Sequence, residues 1–203
     1  MTRTTVVVAL VLALLPGFAL AAPQVDISGK LEIQDLTMAT DDAIQGQPFI
    51  IDTPGVYYHY RGKYNGDPRG LSDAREGDTP TADLYFSGPE EVLVRWDLGA
   101  VPDEGRELKS IRAFVAMSDG QRNRFNVKFA VRDGATGEWR DVCPYVKFGG
   151  DWAEANTYRS VTLTFPAGEV RDFDAVRLHD GAGLAKHYAG RFVEVDVFTA
   201  AAK

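Results

Sequence analysis

The chain has almost no cysteine. Cys143 is the only one in 203 residues, so no intramolecular disulfide can form and the fold must rely on the size of its hydrophobic core. We interpret this thiol as a small buried hydrophobic residue. A nucleophilic cysteine would need a histidine partner, and nothing in the sequence pairs Cys143 with one.

Histidines and catalytic motifs are also scarce. The three histidines, His59, His179 and His187, are scattered, and none belongs to an HExxH-type metal pair. The sequence has no G-x-S-x-G nucleophile elbow and no glycine-rich phosphate loop. Carboxylates are plentiful, so counting alone leaves a glycosidase-like acid pair open, but an acidic surface supplies such pairs at random. The sequence therefore favours a binding protein over an enzyme.

Positive charge is in deficit. The chain has 22 lysines and arginines against 29 aspartates and glutamates, a net charge of −7. Nucleic-acid binding draws most of its affinity from lysine and arginine contacts to phosphates, and anionic lipid surfaces attract the same residues. The charge balance therefore argues against nucleic acid and against membrane surfaces as partners. It is compatible with neutral ligands and with cations.

Long apolar runs are missing except near the N-terminus. The run Val6–Leu15 is too short for a membrane-spanning helix, which needs about 20 residues. It follows Arg3 and precedes Ala19-Leu20-Ala21, the arrangement typical of a secretory signal cut after Ala21. We therefore predict a signal peptide over residues 1–21 and a secreted or periplasmic mature protein without membrane insertion.

Short segments with apolar residues at every second position dominate the rest of the chain, as expected for β-strands. They are Glu91–Leu98, Ser110–Met117, Phe125–Arg132, Trp139–Tyr145, Tyr158–Phe165, Phe173–Leu178 and Arg191–Phe198. Glycine, aspartate and proline turns separate them, and no segment has helical apolar spacing over three turns. Seven or more such strands predict an all-β fold, an antiparallel β-sandwich of the jelly-roll type. We assign it to residues 50–203, with 22–49 as an N-terminal extension packed on the sandwich.

One stretch does not fit the strand pattern. From Gly62 to Ala82 the chain is rich in glycine, proline and aspartate. A loop of this length without secondary structure is usually functional. Either a bound cation or hydrogen bonds from aspartate side chains to the backbone could hold it in place.

Four groups of residues suggest a family. They are Gly70–Asp73 with Gly77–Thr79, Val92–Gly99, Phe125–Trp139, and Phe173–Leu178 with Val193–Phe198. In this order they resemble the galactose-binding-like jelly rolls of the discoidin, or F5/8 type C, family, which includes many carbohydrate-binding modules. The likeness covers about Ile50 to Phe198. The chain departs from the family pattern at Ala74, where glycine is usual, and at Tyr85, which stands later than the expected aromatic residue.

The resemblance implies a calcium site. Many members of the family hold Ca²⁺ with the first long loop and a glutamate at the start of the last strand. The ligands here would be Asp73, Asp78, Thr79 and Glu194. Ca²⁺ takes about six to eight oxygens from carboxylates, hydroxyls and carbonyls, so the chemistry of these residues is suitable. The alternative is an acidic loop that carries no metal.

Three segments combine aromatic residues with hydrogen-bonding side chains, as sugar recognition requires. They are Val56–Asn65, Gln121–Arg124 and Gly149–Asn156. We predict that Trp152 is the stacking platform for a sugar ring and that its hydrogen-bonding partners are Arg122, Arg124, His59 and Asn65. Trp96 and Trp139 lie on predicted strands, and we interpret both as core residues.

These observations predict an exported, non-catalytic protein that binds a glycan. The resemblance places the site in loops at one end of the sandwich, with a possible structural calcium ion. The alternative is an extracellular adhesion or structural component that binds a cell-surface protein with the same fold. An exposed aromatic such as Trp152 beside arginine or asparagine favours the glycan, whereas a broad apolar patch would favour the protein partner.

Overall fold

The computed structural model describes residues 22–29, 31, 36, 39–60, 63–64, 68–69, 71–72, 84–87, 91–117, 124–149, 157–181 and 191–201. In these residues the chain forms thirteen β-strands and no α-helix. The strands are β1 (Gln24–Ile27), β2 (Ile50–Ile51), β3 (Tyr57–Tyr60), β4 (Lys63–Tyr64), β5 (Leu84–Ser87), β6 (Val92–Asp97), β7 (Glu107–Met117), β8 (Arg124–Asp133), β9 (Trp139–Asp141), β10 (Val146–Gly149), β11 (Thr157–Thr164), β12 (Phe173–Asp180) and β13 (Arg191–Ala200). None of the described segments is a helix of the length and hydrophobicity needed to span a bilayer. The predicted signal peptide, residues 1–21, lies outside this part of the chain.

The strands form two antiparallel sheets. Sheet A has the spatial order β1-β11-β7-β13-β5-β3-β4, and sheet B has the order β10-β8-β12-β6-β2, with β9 paired to the same edge of β8 as β10. Apolar residues from both sheets fill one shared core between them, among them Ile111 and Val195 from sheet A and Val94, Phe129 and Val176 from sheet B. The predicted all-β antiparallel sandwich is confirmed.

The strands form where the sequence alternates between apolar and polar residues. In β6, Val92, Val94 and Trp96 are fully buried, while the residues between them are partly exposed, because successive side chains of a strand point to opposite faces. Burying one large apolar side chain stabilises a fold by about 1.5–3 kcal/mol. Trp96 is confirmed as a core residue, and the ring of Phe49 packs edge-on against it at 6.5 Å between centroids.

The predicted strand Trp139–Tyr145 is wrong in its extent. The structure ends β9 at Asp141, turns the chain at Val142 and Cys143, and begins β10 at Val146. Pro144 has no N–H group to donate to a β-ladder, which explains why the strand does not continue. Strands of two to four residues, such as β2 and β4, have too few residues to show a periodicity.

The interpretation of Trp139 as a core residue is also wrong. β9 pairs with the edge of β8, and Trp139 stands opposite Arg132. Val131 points into the core, so Arg132 and Trp139 point to the outer face of sheet B. Trp139 is half-buried there rather than enclosed between the sheets.

The N-terminal segment packs along sheet A. β1 pairs with β11, and the Ala43 N–H donates to the carbonyl of Val197 in β13 at 2.7 Å. The carboxylate of Asp42 accepts the Val197 N–H at 3.2 Å. In β13, only Arg191 and Phe192 pair with β5. Ala43 and Asp42 therefore satisfy backbone groups of Val197, on the part of the same β13 edge that β5 leaves unpaired.

Candidate functional site

The predicted sugar-binding residues are only partly described. Trp152, Arg122 and Asn65 lie outside the described residues. For His59 and Arg124 the structure gives the strand position but not the side chain: His59 lies in β3 and Arg124 begins β8. Their assignment to a ligand site stays a prediction.

The described strand ends show where two of the predicted loops, Gln121–Arg124 and Gly149–Asn156, and the connection after β12 leave the sandwich. Met117 pairs with Thr157, Gly149 pairs with Arg124, and Ala116 pairs with Arg191. The connections 118–123, 150–156 and 182–190 therefore start and finish at one end of the two sheets. We call this the loop end.

His59 belongs to the same end of sheet A. It pairs with Tyr85 of β5, which pairs with Arg191 of β13, which in turn pairs with Ala116 of β7. This row is one residue away from Met117, the last residue of β7. The backbone positions of His59 and Arg124 are thus both close to the loop end.

The end of β12 contributes buried polar groups at this end. Nδ1 of His179 lies 3.2 Å from Oε1 of Glu91. Burial and the positive charge of Lys128 lower the pKa of His179 below its ordinary value, so the imidazole is neutral near pH 7. Gly181 follows in a tight place, where a Cβ atom would lie 2.5 Å from Nδ2 of Asn126. The connection after β12 therefore starts from a firmly packed position.

The predicted calcium ligands fall into two groups. Asp73, Asp78 and Thr79 lie outside the described residues. Glu194 is described: it is fully buried in β13, next to an irregularity in the β13–β7 pairing between Phe192 and Glu194. Burying an ionised carboxylate is costly unless a cation or several hydrogen-bond donors face it. A fully buried glutamate therefore fits the chemistry of a metal ligand.

The long loop is anchored beside Glu194. The N–H of Val195 donates to the carbonyl of Leu71 at 2.8 Å, and Leu71 is itself fully buried. The hydroxyl of Ser72 donates to the carbonyl of Gln47 at 2.7 Å. Asp73 follows Ser72 directly in the sequence. The described residues contain no cluster of three or more histidine, cysteine, aspartate or glutamate side chains that could hold a metal by itself.

The loop predicted over Gly62–Ala82 is not free of secondary structure. Its first part contains β4, which pairs with β3 through His59 and Tyr64 and through Tyr60 and Lys63. A two-residue strand carries no periodicity, so the sequence could not reveal it.

Cys143 is a buried thiol with little capacity to act as a nucleophile. Its side chain is 6% exposed and belongs to the hydrophobic core, which confirms the interpretation from the sequence. Its sulfur accepts the N–H of Phe129 at 3.3 Å. Burial raises the pKa of this thiol to about 11, so almost no nucleophilic thiolate is present near neutral pH.

Comparisons with known proteins give structural similarity only. No protein-family model and no curated protein match the sequence. Similar solved structures include the C-terminal domain of a chitobiase from Bacteroides fragilis, which is 14% identical over 78% of this chain and 98% of that chain, with a TM-score of 0.47. A GH29 fucosidase from Ruminococcus gnavus in complex with fucose is 13% identical over 78% of this chain and 26% of the fucosidase, with a TM-score of 0.48.

A third similar structure is a CBM32 module from Clostridium perfringens in complex with GalNAc-β-1,3-galactose. It is 14% identical over 74% of this chain and 93% of that chain, with a TM-score of 0.38. With TM-scores below 0.5, these similarities assign neither a family nor a ligand to this chain. The resemblance to the F5/8 type C family stays a prediction.

Proposed function

We propose that this protein is an exported, non-catalytic protein that recognises a glycan with loops at the loop end of the sandwich. The observation that carries the proposal is topological. The connections containing Arg122 and Trp152 leave the sheets at the same end, and the backbone positions of His59 and Arg124 lie close to it. This arrangement supports a site in which Trp152 would supply the aromatic surface and Arg122, Arg124, His59 and Asn65 the hydrogen bonds.

The charge balance supports an uncharged ligand. A net charge of −7 gives no attraction for acidic polymers, whereas a neutral sugar needs only an apolar platform and correctly placed donors and acceptors. A non-catalytic role is supported by the buried thiol of Cys143 and by the lack of a recognised nucleophile motif in the sequence.

The alternative partner, a cell-surface protein, receives no comparable support. Among the described residues, the large hydrophobic side chains that stand exposed are Val25 and Ile50. Val25 belongs to β1 in sheet A and Ile50 to β2 in sheet B, so the two do not form one patch. A protein-binding surface would be expected to show a contiguous apolar area of several hundred Å².

A glycan array followed by isothermal titration tests the proposal. Trp152→Ala should weaken binding of a glycan hit more than tenfold without lowering the melting temperature, because truncating an aromatic residue at a binding centre commonly costs about 2 kcal/mol or more. Trp152→Phe should keep most of the affinity. Binding should change little between low and high salt, because a neutral sugar offers no charge to screen. If Trp152→Ala binds with wild-type affinity, Trp152 is not the stacking platform. If no glycan on the array binds, the proposal of glycan recognition is wrong.

The same proposal includes a structural calcium ion held by Asp73, Asp78 and Thr79 of the loop and by Glu194. It is supported by the complete burial of Glu194 and by the Val195 to Leu71 hydrogen bond that fixes the loop beside it. A ligand that binds only the folded state stabilises it by about 2.7 kcal/mol at a hundredfold excess over its dissociation constant.

Thermal melting with EDTA and after Ca²⁺ addition measures this effect. The melting temperature should fall on chelation and recover with Ca²⁺, and Glu194→Gln should largely remove the response. Glu107→Gln is the matched control: Glu107 is another buried glutamate of sheet A, but it accepts hydrogen bonds from Gly168 and Lys109 at the opposite end. This control should change the baseline and keep the calcium response. An unchanged melting curve in metal-stripped wild-type protein would reject the site.

A further inference from the structure

Two neighbouring rows of side chains cross the outer face of sheet B. From β9 to β6, the first row is Trp139, Arg132, Ala175 and Asp97. The second row is Asp141, Ala130, Arg177 and Arg95. These residues face away from the core, because the residues that alternate with them, such as Val131 and Val176, are core residues.

Trp139 is fixed on this face by stacking. The guanidinium carbon of Arg177 lies 3.6 Å from the centroid of the Trp139 rings, and that of Arg132 lies at 5.8 Å. Such cation–π contacts hold the indole in place on the sheet. Ala130 and Ala175 are 1% and 0% exposed although they point outward, so larger neighbouring side chains lie over them.

Ion pairs fix the arginines of this layer. Asp52 contacts Arg95 at 2.5 Å and Arg177 at 2.9 Å. Arg132 is held by Asp174 at 2.6 Å and by Asp97 at 3.1 Å. The hydrogen bond that Arg132 donates to Asp174 raises the pKa of Arg132 above its ordinary value, so the guanidinium stays charged. The guanidinium groups are thus oriented before any ligand binds, which reduces the entropy lost on binding.

The face has hydrogen-bonding capacity but no excess charge. Three arginines and Lys128 are matched by Asp52, Asp97, Asp141 and Asp174. Of the five N–H donors of a guanidinium, Arg132 uses two in these contacts and Arg177 uses one. Asp97 and Asp141 remain 41% and 56% exposed and can accept further hydrogen bonds. Because its positive and negative charges are equal in number, this face would not attract an anionic polymer. Its free donors and acceptors can instead form hydrogen bonds with the hydroxyls of a neutral sugar chain.

The face is long enough for more than one sugar. Lys128 continues it beyond the second row: its ammonium lies 2.9 Å from Asp141 and 5.0 Å from the centroid of the Tyr145 ring. From Arg132 to Lys128 along β8 is about 13 Å at about 3.3 Å per residue. From Arg132 to Arg124, at the loop end, is about 26 Å by the same measure. The Trp139 end of the face is therefore about 26 Å from the loop end, whereas Lys128 lies closer to it.

We propose that the outer face of sheet B binds an extended neutral polysaccharide, with Trp139 as the stacking surface and Arg132 and Arg177 as donors to sugar hydroxyls. The inference rests on the proposed function only for its ligand class, since the residues and the surface are different. The loop end would take a short glycan or chain end, and the sheet face would take the interior of a chain.

Affinity electrophoresis is the test, in native gels cast with galactomannan, arabinoxylan, hydroxyethylcellulose or pullulan, and with polygalacturonate as the acidic comparison. The mature protein should be retarded by at least one neutral polysaccharide. Trp139→Ala should raise the dissociation constant from the mobility series at least tenfold, with thermal melting to check that it folds. Trp152→Ala should keep the retardation.

A blocking variant avoids any doubt about folding. Glu138→Cys places a thiol at an exposed position directly before Trp139, at a residue with no role in the proposed face, and Cys143 does not compete for the reagent because it is buried. Coupling with a maleimide-linked polyethylene glycol should abolish retardation, while the unlabelled variant is retarded. Thr164→Cys, at an exposed position of β11 in sheet A, carries the same label as a control and should still be retarded.

The outcomes separate the two proposals. Retardation that survives the Glu138 label and Trp139→Ala but is lost in Trp152→Ala would overturn the sheet-face inference and support the loop end alone. Retardation by polygalacturonate only would overturn the neutral ligand class. No retardation by any of the four neutral polymers would also overturn the inference, while the glycan array would still decide the proposed function.

Discussion

Asp42 offers a sharp test of how a buried charge acts in this fold. Its carboxylate is 7% exposed, and one oxygen accepts the N–H of Ile44 at 2.9 Å and that of Val197 at 3.2 Å. The other oxygen has no hydrogen-bond partner in the described structure. Asp196 lies nearby, fully buried, with one oxygen held by Arg112 at 2.7 Å and its negative charge interacting with that of Asp42.

The perturbation is a pair of substitutions. Asp42→Asn removes the charge and keeps an oxygen that accepts both backbone N–H groups, so it should raise the free energy of unfolding at pH 7. Asp42→Ala removes the charge and the acceptor together. Two buried N–H groups then lose their partner at about 1–3 kcal/mol each, so the alanine variant should be less stable than the asparagine variant by about 2–6 kcal/mol.

The pH dependence follows from the direction of the pKa shift. Burial raises the pKa of Asp42 above its ordinary value of 3.8, so the folded state binds the proton more tightly than the unfolded state does. The wild-type free energy of unfolding therefore contains a contribution that falls as the pH rises from 3.8 through the folded pKa. The advantage of Asp42→Asn over the wild type should be largest at pH 7 and should shrink on acidification.

Urea denaturation between pH 4.5 and 7.5 measures these free energies. Asp103→Asn, at an exposed aspartate, is the control and should match the wild type throughout. Two results would refute the reasoning: an asparagine variant less stable than the wild type at pH 7 by an amount independent of pH, or alanine and asparagine variants of equal stability.

Three further predictions concern the rest of the fold. Cys143 should not react with Ellman's reagent at pH 8 until the protein is unfolded, because burial raises its pKa to about 11; fast labelling of folded protein would contradict this. Arg106 donates hydrogen bonds to four backbone carbonyls between the strands of sheets A and B. Arg106→Ala should therefore lower the free energy of unfolding, measured in urea, by about 2 kcal/mol or more. An unchanged free energy would show that these contacts contribute little. In Gly134→Ala the new Cβ would lie 2.4 Å from Cγ2 of Val101, so the melting temperature of this variant should fall. Gly29→Ala is the control and should melt like the wild type, because no atom lies within 4 Å of the new Cβ. Equal melting temperatures for the two variants would contradict the packing at Gly134.

The sequence predicts the long strands well because each keeps its alternation for six residues or more. Alternation fails where another segment covers the outer side of a strand. In β13, Val193, Val195 and Val197 alternate with Glu194 and Asp196, a pattern that would normally leave both acids in solvent. The structure buries both completely.

The cause of this burial is distant in the sequence. The N–H of Ala39 donates to Asp196, and Leu71 meets Val195 beside Glu194. No local pattern records which remote segment will reach β13. The same limit explains Trp139. A tryptophan on a strand is usually a core residue, but this one lies on a short edge strand and points to the outer face of sheet B.

The candidate sites are predictable to a different degree. The resemblance names Glu194, and its burial next to the anchored loop is consistent with that role without testing it. The face around Trp139 has no motif, because its arginines and aspartates come from five separate segments that meet through strand register and, for Asp52, through ion pairs. Local spacing cannot reveal such a surface.

The position of β13 has a consequence for how the molecule folds. It is the last strand in chain order, yet it lies in the middle of sheet A between β7 and β5. Until β13 arrives, β1, β11 and β7 cannot join β5, β3 and β4, so the hydrophobic faces of sheet A stay divided. Pairings this distant in sequence slow folding, because the entropy of closing long loops is lost before the contacts form. In the exported protein proposed above, the chain would stay incompletely folded until β13 can pair. An incompletely folded chain can still pass through a translocation channel.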